Sequence, residues 1–197
     1  MSISFNLPRR TKRRLPTRIR QPLAAPQGLN QIWALDFVAD SLYSGRAYRT
    51  LKFIDEGNRQ VLEIEVAYSI PSLRVIRVLQ QLIEMYGKLR ALRLDNGPEL
   101  TSIAFTEWCA ENGIEVRFIQ PGKPDQNAFI ERFNRTYRDE VLDAYVFETI
   151  EQVREITDTW LSKYNEERPH DSLGRVPPLT FLPRPPAAGE STYKVCP

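Results

Sequence analysis

Three acidic residues stand in segments where their charges need an explanation. Asp36 interrupts a hydrophobic run, where an unpaired carboxylate would be costly to bury. Asp95 ends a short apolar run and opens a turn, so it stands where a strand gives way to a loop. Glu131 lies in a segment with helical periodicity. Three carboxylates on separate elements suggest that they hold a shared cation.

The residue types favour Mg²⁺ or Mn²⁺ as that cation. Mg²⁺ prefers octahedral oxygen coordination and keeps several waters, so a few carboxylates are enough to hold it. With two ions, one lowers the pKa of an attacking water or hydroxyl, and the other stabilises the leaving oxygen of an in-line displacement. We expect two ions, with Asp36 shared between them.

Each acid taken alone also has a structural explanation. Asp36 could pair with a buried arginine, Asp95 could shape a turn, and Glu131 could be a charge on a helix surface. The combination of all three favours the metal site. Two further acids beside turns, Asp55 and Asp125, are interpreted as structural.

The elements that must position these acids follow from the spacing of apolar residues. The predicted order is strands at 32–40, 46–55 and 59–68, a helix at 72–86, a strand at 89–94, a helix at 101–112, a strand at 114–119, the helix carrying Glu131, and a helix from about 150 that ends before Arg168. Three strands in a meander are antiparallel, and strands that alternate with helices pair in parallel. This order predicts an α/β, ribonuclease H-like fold, with a mixed five-stranded sheet flanked by helices. Its first and fourth strands are neighbours, which would put Asp36 beside Asp95.

The helix that carries Glu131 has two faces. A polar stripe recurs at i, i+4, i+7 or i+8, and i+11, and we expect it to face a nucleic-acid backbone. Its members besides Glu131 are Asn127, Asn134, Arg135 and Arg138. The opposite stripe is apolar and is expected to pack on the sheet; it comprises Phe129, Phe133, Tyr137 and Val141. Lys123, in the loop before the helix, is a further candidate for contact with DNA.

Composition excludes several classes of site. Cys109, Cys196 and His170 are the only cysteines and histidine, which is too few for a zinc finger or a disulfide framework. The sequence contains no Gly-x-Ser-x-Gly and no complete phosphate-binding loop. No run approaches the roughly 18 apolar residues of a membrane span. We therefore expect a cytoplasmic protein with no membrane partner.

The charge is distributed unevenly along the chain. Residues 1–26 hold seven arginines and lysines and no acid, whereas the whole chain carries a net charge of only +2, so the remainder is mildly acidic. This proline-containing arm, which includes Arg13 and Arg14, suits the phosphate backbone of DNA, although it could also be a solvated linker. The rest is predicted to form one globular domain at 27–182, followed by a disordered proline-rich tail at 183–197.

Four segments together resemble a known family. They are Trp33-Ala34-Leu35-Asp36-Phe37, Leu94-Asp95-Asn96-Gly97-Pro98-Glu99, the run from Gly122 to Asn134, and the run from Tyr164 to Gly174. They are similar to the catalytic core of bacterial insertion-sequence transposases, which is of the retroviral-integrase type. The similarity is to the product of the second reading frame, OrfB. The acidic pattern of that family, with 35 residues between its second and third acids, fits Asp95 and Glu131.

The resemblance implies a function and a set of partners. Asp36, Asp95 and Glu131 would be the metal ligands of an enzyme that cuts DNA at the ends of a mobile element and joins the freed 3′-hydroxyl to a target phosphodiester. Arg138 falls on the basic position that follows the glutamate by seven residues. Such a protein would bind element ends and target DNA on the bacterial nucleoid, and it would act as a homo-oligomer. It would also act with a helix-turn-helix region, which a full-length transposase or the upstream reading-frame product would supply.

Two other functions remain open from the sequence. The resemblance implies a DNA-reading module before the core, so we expect this chain to be a truncated copy of a transposase or one part of a larger product. A core without that module could instead be a non-catalytic, DNA-binding regulator that joins an intact transposase. A ribonuclease H-like nuclease is the other alternative, although the segment 165–174 speaks against it. The complete set of three acids favours the transposase.

Overall fold

The computed structural model describes residues 26–120 and 127–184 of the chain. The strands are Ile32–Ser41 (β1), Ala47–Asp55 (β2), Val61–Ala67 (β3), Ala91–Leu94 (β4) and Glu115–Phe118 (β5). The α-helices are Ser72–Tyr86 (α1), Ile103–Glu111 (α2), Ala128–Tyr137 (α3), Ile150–Glu166 (α4) and Pro178–Phe181 (α5). A π-helical turn, Arg138–Leu142, continues α3. The order of elements predicted from the sequence is confirmed.

The five strands form one mixed sheet with β1 at its centre. Their spatial order is β3-β2-β1-β4-β5. β2 is antiparallel to β1 and β3, while β4 is parallel to both β1 and β5. This is the predicted ribonuclease H-like arrangement, in which β1 and β4 lie side by side.

Successive residues of β1 point into different cores, because side chains alternate across a strand. Trp33 and Leu35 lie in the core that packs the sheet against α1 and α2. Ala34 lies in the core on the opposite face, beneath α3 and α4. Asp36 has the same parity as Ala34, so it belongs to the face that α3 covers.

Helix α4 also covers the edge of the sheet at β3. The side chain of Asn165 accepts the N–H of Val61 at 3.0 Å and donates to its carbonyl at 2.8 Å. Arg154 donates to the carbonyl of Val66 at 2.9 Å. These contacts occupy edge groups that could otherwise pair with another strand.

The last described residues, 182–184, make contacts with the rest of the domain. Arg184 forms an ion pair with the fully buried Asp55 and donates to Oδ1 of Asn30 at 2.8 Å. The carbonyl of Leu182 accepts from Asn58 at 3.0 Å. A buried carboxylate therefore holds the chain as far as Arg184, two residues beyond the predicted boundary, and the boundary itself stays a prediction. Residues 1–25, most of the basic arm, and 185–197 lie outside the described part.

Asp55 also shapes the turn between β2 and β3, as expected of a structural residue. The other acid interpreted as structural, Asp125, lies outside the described residues. The Asp55 carboxylate accepts the N–H of Gly57 at 2.9 Å. A Cβ atom at Gly57 would lie only 2.4 Å from the carbonyl oxygen of Gly28. The turn therefore requires glycine so that residues near 28 can cross it.

In the described ranges, no helix is long and apolar enough to cross a bilayer.

We expect Gly57→Ala to destabilise the fold by about 1–3 kcal/mol, the usual cost of forcing an extra group into a packed site. Urea unfolding measures the effect. Gly28→Ala is the matched control, because a Cβ atom there meets only the flexible side chain of Gln31, at 3.0 Å. Equal unfolding free energies for the two variants would show that the close approach is not required.

Candidate functional site

Asp36 lies within β1, between strands that carry two other charged residues. Its register partner on β2 is Lys52. On the other side, the parallel register pairs Ala34 with Arg93 of β4. Continued by two residues, that register places Asp36 opposite Asp95. The structure thus brings together two of the three acids predicted to form the site.

Both oxygens of the Asp36 carboxylate are held by hydrogen bonds. Oδ1 accepts the N–H of Phe37 at 2.9 Å, and Oδ2 accepts the side-chain amide of Asn134 on α3. Burial raises the pKa of Asp36 above 3.8, Lys52 and the Asn134 bond oppose that rise, and the Asp95 carboxylate adds to it. The influence of Asp95 on this pKa reflects how close the two carboxylates lie.

Asp95 is exposed at the end of β4, in a turn with its own hydrogen bonds. The N–H of Gly97 donates to Oδ1 of Asp95 at 3.1 Å. The N–H groups of Leu100 and Thr101 both donate to the carbonyl of Gly97 at 3.0 Å. Asp95 therefore shapes the turn and also points a carboxylate to solvent beside Asp36, so the structural and functional interpretations are compatible.

Lys52 is a buried charge that the sequence reasoning missed. Its side chain is fully buried, and Nζ has no hydrogen-bond partner among residues 26–120 and 127–184. Nζ lies 5.7 Å from the centre of the Tyr137 ring. Burial lowers the pKa of Lys52 from 10.5 to about 7, although the Asp36 carboxylate opposes that change. The signal in the sequence was a lysine inside the apolar run 51–54, on the strand predicted to pair with the one that holds Asp36.

Glu131 does not form a metal-holding group with Asp36 and Asp95 in the described part of the chain. It is exposed on α3, and among residues 26–120 and 127–184 no three acidic, histidine or cysteine side chains form a group that could hold a metal ion. Residues three apart on a helix share a face, so Glu131 lies one turn before Asn134, which reaches Asp36. Helix α3 is thus docked on Asp36 one turn from Glu131. Asp36 and Asp95 could both offer oxygens to one cation.

The predicted polar stripe of α3 is not one continuous open surface. Asn127 is 6% exposed, so it does not face solvent as expected. It is the N-cap of α3, with φ −120° and ψ 21°, and the spacing rule of a helix does not extend to it. Asn134 is bonded to Asp36, and Arg135 is exposed. Contact of the stripe with DNA stays a prediction, as it does for Lys123, Arg13 and Arg14, which lie outside the described residues.

Arg138 makes contacts within the chain. Its guanidinium lies 3.1 Å from Oδ2 of Asp40 and 3.2 Å from Oδ1 of Asp143. It also donates to the carbonyl of Ala39 at 3.4 Å. These contacts tie the end of α3 to β1, so a DNA phosphate would have to compete with two carboxylates for this arginine.

The apolar stripe of α3 packs as predicted for three of its four members. Phe133, Tyr137 and Val141 are buried beneath the helix. Phe129 is only partly buried, and the guanidinium of Arg59 lies 3.4 Å from its ring centre.

His170 packs edge-on against Tyr164, with 4.7 Å between ring centres. Burial lowers the pKa of His170, which favours the neutral imidazole. In the described part of the chain, His170 thus packs within the fold against the end of α4.

The chain matches known proteins in sequence and fold. Two models described as "Integrase core domain" match residues 26–124 and 112–178. An insertion element IS476 protein of Xanthomonas euvesicatoria is 42% identical over 173 residues, which make up 88% of this chain and 50% of that protein. An insertion element IS407 protein of Burkholderia multivorans is 38% identical over 183 residues, covering 93% of this chain and 66% of the relative. The chain therefore spans half to two-thirds of these relatives.

A solved structure agrees with the fold. The catalytic core of HTLV-2 integrase, determined in complex with magnesium, superposes with a TM-score of 0.61 at 19% identity, covering 77% of this chain and 95% of that one. At this identity the likeness concerns the fold alone. Since an integrase core model also spans half of the sequence, the chain belongs to the integrase core domain family, in company with proteins of bacterial insertion elements.

Proposed function

We propose that this chain is the catalytic core of a transposase that cuts DNA at an element's end and joins the freed 3′-hydroxyl to target DNA. The observation that carries the proposal is the position of Asp36 opposite Asp95 across β1 and β4 of an integrase core. Helix α3 adds to it, because Asn134 docks on Asp36 one turn from Glu131. The relatives from insertion elements favour transposition over a nuclease of the same fold.

The donor set fits an oxygen-preferring divalent cation such as Mg²⁺ or Mn²⁺. Asp36 and Asp95 bring like charges together, and a cation between them would offset their repulsion. Asp36, Asp95 and Glu131 would hold two ions, which would activate the attacking hydroxyl and stabilise the leaving oxygen. Since the three acids do not form a metal-holding group among the described residues, their side chains would have to close on the ions when these bind.

The chain's own residues prepare the site for that role. The Phe37 N–H and the Asn134 amide fix the orientation of the Asp36 carboxylate. Each carboxylate oxygen has a second lone pair, so these bonds leave acceptors available toward Asp95. Lys52 lies opposite Asp36 in the register of β1 and β2, and in its protonated form it limits the cost of burying the Asp36 carboxylate.

DNA would approach along the exposed side of α3. Arg135 is open to it, and Arg138 would exchange Asp40 and Asp143 for a phosphate. The basic arm would bind further phosphates without reading sequence. Recognition of element ends would come from a helix-turn-helix region outside this chain, in a homo-oligomer on the bacterial nucleoid.

A strand-transfer assay tests the proposal. The purified chain is incubated with Mn²⁺, a labelled pre-cleaved element end and a plasmid target. We expect the labelled strand to become covalently joined to the plasmid, and no joining when EDTA removes the metal. DNA binding without joining would support the regulator instead, and cutting of an RNA–DNA hybrid without joining would support the nuclease.

The arm gives a separate prediction about affinity. Deleting residues 1–26 should weaken binding to all DNA sequences and flatten the dependence of log K on log salt by about 0.9 per lost phosphate contact. Fluorescence anisotropy at several salt concentrations measures that slope.

The control keeps the arm's length and replaces its seven basic residues by glutamine, which should flatten the slope as much as the deletion does. A slope that stays at the wild-type value in both variants would mean that the arm is only a linker.

A further inference from the structure

The turn that carries Asp95 is tied to a strand on the far side of β1. The guanidinium of Arg49, on β2, forms an ion pair with the carboxylate of Glu99, which follows Asp95 by four residues. The same guanidinium lies over the ring of Phe37, 4.2 Å from its centre. Both charged side chains are partly exposed, with 32% and 19% of their surfaces open to solvent. We call this contact the Arg49–Glu99 clasp.

Within the turn, Glu99 and Asp95 converge on one glycine. A Cβ atom at Gly97 would lie 3.2 Å from Oδ1 of Asp95 and 3.5 Å from Oε2 of Glu99. The two carboxylates therefore flank the same backbone segment. A displacement of Glu99 would be transmitted to Asp95 over that short distance.

The turn's own hydrogen bonds are local. Asp95 accepts from Gly97, Leu100 and Thr101 donate to the Gly97 carbonyl, and Ser102 donates to the Glu99 carbonyl at 3.2 Å. Such bonds fix the shape of the turn. Its two ends are held by other contacts, because β4 pairs with β1 just before Asp95 and Leu100 is buried in the core. Between those ends, the clasp ties Glu99 to Arg49, the register partner of Ala39 on the strand that holds Asp36.

We infer that Arg49 and Glu99 are positioning residues that set the separation between the Asp95 and Asp36 carboxylates. This inference rests on the proposed function, in which those two carboxylates hold the same ions. Neither Arg49 nor Glu99 touches the reacting atoms in this account. The hydrogen bond from Arg49 lowers the pKa of Glu99, which favours the ionised carboxylate in the clasp.

A positioning role and a merely structural role predict different results. A partly exposed ion pair contributes little to stability. By contrast, a displacement of about 1 Å in a catalytic group can cost about 100-fold in rate. Loss of the clasp should therefore reduce the reaction rate much more than it reduces the free energy of unfolding.

The test uses Arg49→Met, Glu99→Gln and the reciprocal double variant Arg49→Glu with Glu99→Arg. At saturating Mn²⁺ and DNA, each single variant should lower the strand-transfer rate by about 10- to 100-fold. The double variant should recover most of that loss, and the urea midpoints should stay near that of the wild type. Amide hydrogen exchange of residues 96–101, measured without metal or DNA, should accelerate in the single variants and slow again in the double variant.

Arg46→Met is the matched control. Arg46 stacks on Tyr68 at 3.5 Å from the ring centre, so its loss also removes a cation–π contact, but one that is not tied to the Asp95 turn. We expect it to leave both the rate and the exchange of residues 96–101 unchanged.

Two outcomes would overturn the inference. One is wild-type rate and exchange in both single variants. The other is a rate loss that follows a fall in stability and that the double variant does not restore. If the wild-type chain shows no strand transfer, the proposed function fails, and the exchange of residues 96–101 still decides whether the clasp positions the turn.

Discussion

Replacing any one of the three acids by its amide should lower strand transfer by at least about 100-fold, the loss expected when one group that stabilises developing charge is removed. The variants are Asp36→Asn, Asp95→Asn and Glu131→Gln. Each keeps the shape of the side chain but removes the charge that holds a divalent cation. Circular dichroism should show a folded protein in each case, because Asp95 and Glu131 are solvent-exposed and the amide oxygen introduced by Asp36→Asn can still accept the Phe37 N–H.

The control for this series is Asp139→Asn. Asp139 is an exposed acid on the π-helical turn, eight residues beyond Glu131, and it should be dispensable for joining. Near-normal joining by any one of the three amide variants would remove that residue from the site. The result for Glu131→Gln is the most informative, since Glu131 is not gathered with the aspartates in the part of the chain that the structure describes.

Arg184→Met should lower the free energy of unfolding by about 3–5 kcal/mol, the usual cost of removing one partner of a buried ion pair. Asp55 has no exposed surface, and without Arg184 its charge would keep only the N–H groups of Asn30, at 2.8 Å, and Gly57, at 2.9 Å, among the described residues. Arg184 also packs on the ring of Tyr86, with 4.9 Å to its centre, and methionine retains part of that apolar contact. Urea unfolding gives the free energy.

Arg175→Met serves as the comparison, because Arg175 pairs with Asp171 where both side chains are more than four-fifths exposed, at 86% and 92%. An exposed pair of this kind contributes no more than about 1 kcal/mol. If Arg184→Met is no more damaging than Arg175→Met, the segment up to residue 184 is not part of the folded domain, and the boundary predicted from the sequence would stand.

The sequence was sufficient to predict the neighbourhood of Asp36 and Asp95. Apolar spacing gave the type and order of the elements, and the order of elements dictates which strands are neighbours in this sheet. Asp36 lies on the first strand and Asp95 directly follows the fourth, so their proximity follows from topology alone. No knowledge of side-chain packing was needed for that step.

The sequence did not predict the surroundings of the polar stripe on α3, because they depend on how the helix packs against the sheet. A helical stripe assumes one constant helix, but α3 begins with a non-helical N-cap at Asn127 and passes into a π-helical turn at Arg138. Arg138 lies one turn beyond Asn134 on the same face of the helix. That face meets Asp40 of β1, and Arg138 also reaches Asp143, so the end of the stripe is not open to solvent as expected.

Contacts between distant parts of the chain were equally hidden. The prolines after residue 182 indicated disorder, yet Arg184 pairs with Asp55, 129 positions away. No feature of the sequence near Arg184 indicates that this residue pairs with a buried carboxylate. The burial of Lys52 against Tyr137 and the clasp between Arg49 and Glu99 likewise depend on how helices and loops meet the sheet.

The most direct test of the metal-site claim is to locate Mn²⁺ in crystals of the chain by anomalous scattering. The account predicts manganese peaks bounded by the carboxylates of Asp36, Asp95 and Glu131, and the loss of those peaks in Asp36→Asn crystals soaked in the same way. Manganese bound elsewhere, or held by the two aspartates without Glu131 in the presence of a pre-cleaved DNA end, would contradict the three-acid site.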